Sequence, residues 1–184
     1  MGYKADELYR EIKYNIPNRR STVKSCLRQL AKRIASDIGK EFIDREAFVH
    51  TSYYYLRIAV HVKDVDYDEV RCYIDEMFEE VQGQLHVDNR KVYKRISSWT
   101  ILYLSWLYLD TNMLYDIREI TEILSRDLDI TYNNLGVRLS WLNAKGAMVK
   151  VKNKNLTYWG LPTVTVDLDD KYEKIDGQLI YICR

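Results

Sequence analysis

The chain has 184 residues, and its 28 lysines and arginines nearly balance its 27 aspartates and glutamates, which leaves a formal net charge of +1. This length, with an apolar content of 47%, allows one large or two small domains whose core needs no metal or disulfide. The three cysteines are widely separated, which fits a reduced intracellular compartment. The N-terminus has no apolar core and no apolar run approaches ~20 residues, so we expect no signal peptide and no membrane partner. The expected location is therefore cytoplasmic. Sixteen tyrosines and only two prolines would also fit a thermophilic source.

The region from residue 1 to 95 is predicted to be a helical domain. After a break at Pro17, a helix over residues 20–38 is expected to begin with Ser21 as its cap and to end at Gly39. Its buried stripe has helical spacing and consists of Val23, Leu27, Leu30, Ile34 and Ile38. Cations cover another side of this helix, which we call the basic ridge: Arg19, Arg20, Lys24, Arg28 and Lys32, with Arg33 beside them.

The basic ridge needs a counterpart, because like charges at four-residue spacing on a helix repel one another. A polyanion could supply it, which would make the ridge a second nucleic-acid-binding patch. The chain offers another partner in an acidic helix predicted over residues 66–83, with Val70, Tyr73, Ile74, Met77 and Val81 as its apolar side. Pairing of the two helices within the fold and binding of nucleic acid therefore both remain open.

Two further N-terminal segments have less definite patterns. Residues 44–62 favour a helix capped by Asp44, although their tyrosines and β-branched residues could also pair as a strand. Asp88 can cap a helical run that could continue without a break into the tryptophan-rich segment after it. This run carries a third positive cluster, interpreted as a solvated helix face, at Arg90, Lys91, Lys94 and Arg95.

Three helices and a hairpin are predicted after residue 96. The first has a broad apolar face made by Trp99, Leu102, Tyr103, Trp106 and Leu109. The second begins with a capping box between Asp116 and Glu119, and its buried side is Ile117, Ile120, Ile123 and Leu124. The third is capped by Thr131, closed by Gly146, and carries an inward stripe of Leu135, Leu139 and Leu142.

The hairpin follows directly after Gly146. Val149 and Val151 alternate inward with Lys150 and Lys152 outward. The chain then turns at 153–155 and returns through Leu156, Tyr158 and Leu161.

In this order of elements, residues 96–162 resemble the winged helix-turn-helix family of DNA-binding proteins. The resemblance implies that the third helix, 132–145, reads bases in double-stranded DNA and that the hairpin, 147–161, is a wing on the backbone. It assigns base contacts to Asn133, Asn134, Arg138 and Ser140, and backbone contacts to Lys145, Lys150, Lys152 and Lys154. Asparagine can pair with adenine and arginine with guanine. The implied function is a sequence-specific DNA-binding protein, most simply a transcriptional regulator.

The face of the third helix opposite its leucines also suggests an alternative. It centres on Asn133, Val137, Ser140 and Ala144, with Trp141 at its edge, and so is small and partly apolar. Such a face suits a protein as well as a groove. The alternative function is therefore a protein-interaction module in a replication, transcription or viral assembly, with Val137, Trp141 and the acidic helix as contact surfaces.

The remaining residues, 163–184, are predicted to form a hairpin of strands Thr163–Leu168 and Gln178–Cys183. This hairpin could complete the core, extend the wing sheet or supply a homodimer contact. No phosphate-binding loop, dinucleotide fingerprint, HExxH or CxxC motif is present, and His50, His61 and His86 are scattered. We therefore expect no enzyme, no catalytic residue, no metal site and no cofactor. The expected fold class is mainly α with a small β component: a helical region, a winged helix-turn-helix and a C-terminal β-hairpin.

Overall fold

The computed structural model describes residues 16–62, 64–86, 95–163, 171–175 and 178–182. The protein is mainly helical, with a small three-stranded antiparallel sheet toward the C-terminus, which confirms the prediction of a mainly α fold with a small β component. The chain divides into two compact units, residues 1–99 and 100–184, called here the N-terminal and C-terminal units. No helix in the described ranges combines the length and apolar character needed to cross a membrane.

The N-terminal unit is built from three helices: α1 (Ile16–Ile38), α2 (Arg45–Ile58) and α3 (Tyr67–Gln84). Asp44 caps α2 by accepting a hydrogen bond from the Ala47 amide, and Asp66 caps α3 by accepting one from Glu69. The predicted apolar stripes of α1 and α3 are buried, including Val23, Leu27 and Ile34 at 0% exposure. Gly39, at φ +65°, takes the left-handed conformation that ends α1 as predicted.

Two predictions for this unit are corrected by the structure, and the helix favoured for residues 44–62, capped by Asp44, is confirmed. Helix α1 begins at Ile16, so Ser21 is inside the helix and is not its cap. Pro17 is compatible with this start because the first turn of a helix has no partner for a proline amide in any case. Residues 44–62 do not contain a strand, since α2 is capped and helical. Residues 95–97 are not helical, so no unbroken helix runs into the tryptophan-rich segment, and 87–94 lie outside the described residues.

The next helix, α4 (Ser98–Tyr108), is buried around its whole circumference. All side chains from Thr100 to Ser105 are buried, so the prediction of one apolar face was too narrow. Thr100 and Ser105 interrupt the apolar residues of this segment, so the sequence suggests a polar side that the helix does not have. The buried Ser105 hydroxyl has a hydrogen-bond partner, because it donates to the Ile101 carbonyl one turn earlier, at 2.8 Å.

The C-terminal unit continues with β1 (Tyr115–Asp116), α5 (Ile117–Leu124), α6 (Tyr132–Ala144), β2 (Val149–Asn153) and β3 (Leu156–Gly160). The strands form an antiparallel sheet in the order β1-β3-β2, with Val151 opposite Tyr158 and Lys150 opposite Trp159. One face of the sheet packs Val151 and Tyr158 against Leu114, with Val149 beside them. Strand β1 was not predicted, because two residues carry no alternation to detect.

The predicted C-terminal hairpin is present and its second strand lies where expected, but its first strand differs from the prediction. Its strands are β4 (Lys171–Ile175) and β5 (Gln178–Ile182), which pair with each other as a separate two-stranded sheet. Thr163 lies in a turn, and residues 164–168 of the predicted first strand are outside the described part of the chain. The prediction placed Lys171–Ile175 in a turn because of its charges. In the described strands, the hairpin does not extend the wing sheet.

Candidate nucleic-acid interface

Helix α6 exposes one continuous face of short side chains. Leu135, Leu139 and Leu142 are fully buried, which anchors the opposite side of the helix in the C-terminal unit. The Thr131 hydroxyl caps the helix by accepting from the Asn134 amide at 3.5 Å. The helix ends at Gly146, at φ +79°, as the sequence predicts. The exposed face runs along the helix through Asn133, Val137, Ser140 and Ala144.

The hairpin after α6 places its lysines outward, as predicted. Lys150 and Lys152 are exposed on β2, whereas Val151 between them is buried. The ammonium of Lys150 lies 5.1 Å from the ring centroid of its cross-strand neighbour Trp159, and this cation–π contact restricts where the charge can be. The hairpin turns at Lys154–Asn155, where Lys154 adopts φ +56°. This turn presents a third cation at the tip.

An open groove of about 920 Å³ separates α6 from the hairpin. Its lining comes from the start of α5, the exposed side of α6 and the hairpin, and includes Arg118, Asn133, Val137, Ser140, Lys150 and Trp159. Asp116 also borders the groove, but its carboxylate accepts hydrogen bonds from the Arg118 and Glu119 amides, both at 2.9 Å. That carboxylate is therefore committed to capping α5, and Glu119 completes the capping box by accepting from the Asp116 amide at 2.8 Å.

The charged side chains of α6 and the hairpin are all positive. Between Ile130 and Val166 the sequence contains no aspartate or glutamate. The same stretch carries the cations Arg138, Lys145, Lys150, Lys152 and Lys154. An anionic partner lying along α6 and the hairpin would therefore meet no negative side chain from this stretch.

Seven of the eight residues predicted to contact DNA are exposed, and three of these, Asn133, Ser140 and Lys150, line the groove. The exposed ones are Asn133, Asn134, Ser140, Lys145, Lys150, Lys152 and Lys154. Arg138 lies on the flank of α6 and is half-buried. Leu156, at the start of the predicted returning strand, is 56% exposed and lines the groove.

Three other residues of the groove were not predicted. Tyr132 is 54% exposed, Arg118 is exposed at the first turn of α5, and the indole of Trp159 lies under Lys150. No sequence signal places Arg118 at the groove, because only the packing of α5 beside α6 and the hairpin does so. Trp159 likewise had no signal, since only the strand register sets it opposite Lys150.

The basic ridge of α1 pairs with the acidic helix α3 inside the N-terminal unit. Glu76 accepts hydrogen bonds from Lys24, at 2.7 Å, and from Arg20, and these bonds hold the pKa of the Glu76 carboxyl below its usual range. Arg28 lies 3.5 Å from Glu80. Of the two interpretations left open by the sequence, intramolecular pairing is the one present in the fold. Lys32 is exposed, and the Arg19 side chain lies outside the described residues.

The described histidines do not form a metal site. Within the part of the chain that the structure describes, no group of three His, Cys, Asp or Glu side chains could hold a metal ion. His50 lies 3.4 Å from the Tyr67 hydroxyl, and burial lowers the pKa of its imidazole. His61 and His86 are exposed elsewhere. Of the third positive cluster, Arg90, Lys91 and Lys94 are outside the described residues, whereas the Arg95 carbonyl accepts from Arg33 at 2.5 Å.

Comparison of the chain with protein-family models, with curated proteins and with solved structures finds no match. The function must therefore be argued from the residues of α6, the hairpin and the groove between them.

Proposed function

We propose that the protein binds double-stranded DNA sequence-specifically and acts as a transcriptional regulator, with α6 in the major groove and the β2–β3 hairpin on the backbone. The observation that carries this proposal is the protruding face of α6 beside a lysine-bearing hairpin, in a stretch without a single carboxylate side chain. Exposed cations in such an arrangement neutralise phosphates and release counterions, which is the main source of affinity for DNA.

The shape of the surface supports the proposal. An α-helix with its side chains is about 10–12 Å across and fits the major groove, which is about 12 Å wide. The side chains at the centre of the exposed face, Asn133, Val137 and Ser140, are short, so the helix backbone can approach the base edges closely. Asn133 offers an amide that can bond both adenine groups in the major groove, and Ser140 offers a hydroxyl that suits more than one base.

The hairpin would fix the orientation of the complex. Lys150 and Lys152 point from the same side of β2, and Lys154 extends from the turn. The stacking of Lys150 on Trp159 holds its ammonium in place before binding, which reduces the entropy lost when it meets a phosphate. Three helices, with strand β1 between the first and the second, precede the hairpin in the chain, and this order of helices and hairpin is the pattern on which the proposal draws.

The salt dependence of DNA binding tests this proposal. Wild-type protein is titrated into a labelled random-sequence duplex at several salt concentrations, beside the triple variant Lys150→Ala, Lys152→Ala, Lys154→Ala. Three lost phosphate contacts should lower the slope of log affinity against log salt by up to about 2.7, at about 0.9 per contact. The affinity that wild type loses between about 50 and 200 mM salt should therefore exceed the loss of the variant by roughly fortyfold.

The matched control replaces the same three lysines with arginine, which keeps the charges and should keep the slope. Circular dichroism of both variants checks that the exposed substitutions leave the fold intact. An alanine variant with the affinity and slope of wild type would remove the hairpin from the interface. A wild-type protein without measurable affinity for duplex DNA at low salt would refute the proposed function.

A second candidate function is a protein-interaction module, favoured by apolar exposure on the same surface. Val137 is 70% exposed, Leu156 is 56% exposed and Trp141 is 39% exposed. Large apolar side chains in this position are typical anchors of a protein interface. In that case Trp141→Ala should abolish a partner complex, and the affinity of wild-type protein for duplex DNA should stay at background.

A further inference from the structure

The exposed face of α6 contains an apolar residue where a DNA-reading helix would ordinarily be expected to be polar. Val137 lies at the centre of this face, one turn after Asn133 and one turn before Ser140, and it is 70% exposed. An isopropyl group left in water contributes nothing to the stability of the C-terminal unit. Its position is informative because α6 buries its leucines on the opposite side, so Val137 is not part of an incompletely covered core.

The major groove offers one apolar feature, the C5 methyl group of thymine. A valine directed at base edges can contact that methyl, whereas it cannot satisfy the donors and acceptors of the other base edges. The neighbouring Asn133 suits adenine, whose N6 and N7 an amide can bond simultaneously. The two residues are one helical turn apart on the same face, so both favour A·T pairs within one short stretch of the duplex.

We infer that Val137 is a specificity-determining residue that reads thymine through its methyl group, and that the site recognised by α6 contains A·T pairs at its centre. This inference rests on the proposed function, because it needs α6 to lie in the major groove. The cation-rich surroundings of the face, from Arg138 to Lys154, favour the DNA polyanion as the occupant. Because the neighbouring side chains on this face are short, Val137 can reach the base edges.

The experiment first uses the full wild-type chain to select bound sites from a pool of random duplexes. The best site is then synthesised in two forms, one with thymine and one with uracil at the contacted position. Uracil differs from thymine only because it lacks the C5 methyl group. Removing one contacted methyl should weaken binding about fourfold, the factor expected for burying one methyl-sized group. In Val137→Ala the thymine duplex should bind no better than the uracil duplex. Val137→Thr, which keeps one of the two γ-methyl groups of valine that alanine lacks, should retain part of the preference.

Two outcomes overturn the inference. Equal affinity of wild type for the thymine and uracil duplexes would show that no thymine methyl is contacted. An unaltered preference in Val137→Ala would show that another residue makes the contact. Both outcomes leave DNA binding itself intact, whereas failure to enrich or bind any duplex overturns the proposed function together with the inference. Since Val137 is exposed, unfolding of the alanine variant is not expected, and its circular dichroism spectrum verifies this.

Discussion

Replacing Asp116 with alanine removes the side chain that caps α5 directly after strand β1. The Asp116 carboxylate accepts hydrogen bonds from the Arg118 and Glu119 amides at 2.9 Å, while its backbone pairs with Tyr158 in β3. Loss of an N-cap side chain costs about 1 kcal/mol, and loss of a negative charge at a helix N-terminus costs about 0.3–1 kcal/mol. The free energy of unfolding of the Asp116→Ala variant should therefore fall by about 1.5 kcal/mol.

Urea denaturation followed by tryptophan fluorescence measures this loss. Trp159, 4% exposed and paired with Tyr115 beside the cap, reports on unfolding of the region concerned. The matched control is Asp116→Asn, which keeps the acceptor and loses only the charge, so it should cost about 0.5 kcal/mol. Glu119→Gln keeps the reciprocal bond and should change the stability little. An alanine variant within about 0.3 kcal/mol of wild type, or an asparagine variant equally destabilised, would refute this account of the cap.

Three further predictions concern stability. Gly136→Ala should raise the free energy of unfolding by about 0.8 kcal/mol in the same urea assay, because alanine favours a helix interior and its Cβ would lie 3.8 Å from Ile117 Cδ1, an ordinary contact; a loss of stability would contradict this. Lys154→Gly should gain up to about 1 kcal/mol by relieving the left-handed backbone, and it should lower the DNA salt slope by about 0.9, whereas Lys154→Asn should lower the slope equally with a smaller gain in stability. Glu76→Gln should weaken the acid sensitivity of unfolding: the depressed pKa of Glu76 stabilises the fold above its ordinary value of about 4.5, and this stabilisation is lost as the pH falls through the folded-state pKa. Identical acid unfolding profiles of the variant and wild type would show that the ion pairs with Lys24 and Arg20 contribute nothing measurable.

The parts of the fold that the sequence predicts are those set by local chemistry. The caps at Asp44, Asp116 and Thr131 are formed by side chains within three residues of the amides that they satisfy. The leucine stripe of α6 and the alternation of β2 likewise follow from the periods of the helix and the strand. These signals need no knowledge of distant residues, and the structure confirms each of them.

The corrections arise where distant contacts or competing signals decide. Charge along Lys171–Ile175 favours a turn, yet this segment pairs as a strand with β5, which lies where the sequence predicts a strand. Strand β1 exists only because β3 lies beside it. The serine at position 21 has the chemistry of a cap, but α1 begins earlier, at Ile16, and Pro17 is tolerated in its first turn.

The sequence predicts the charge of the candidate interface but not its shape. The run without acidic residues predicts a basic surface, and the helical period places Val137 on its exposed side. The groove depends on how α5, α6 and the hairpin pack, so Arg118, Tyr132 and Leu156 could not be assigned to it beforehand. The pairing of the basic ridge was equally undecided, because only the packing of α1 on α3 brings Lys24 to Glu76.

The most direct test of DNA binding maps the interface residue by residue. A ¹⁵N-labelled sample of this 22.0 kDa chain is titrated with a selected duplex, and the amide chemical shifts are followed by NMR. The proposal predicts that the largest changes lie at Asn133, Val137, Lys150 and Lys154, on α6 and the hairpin, and that they diminish as salt is added. Changes confined to α1, or no changes with any duplex, would contradict it.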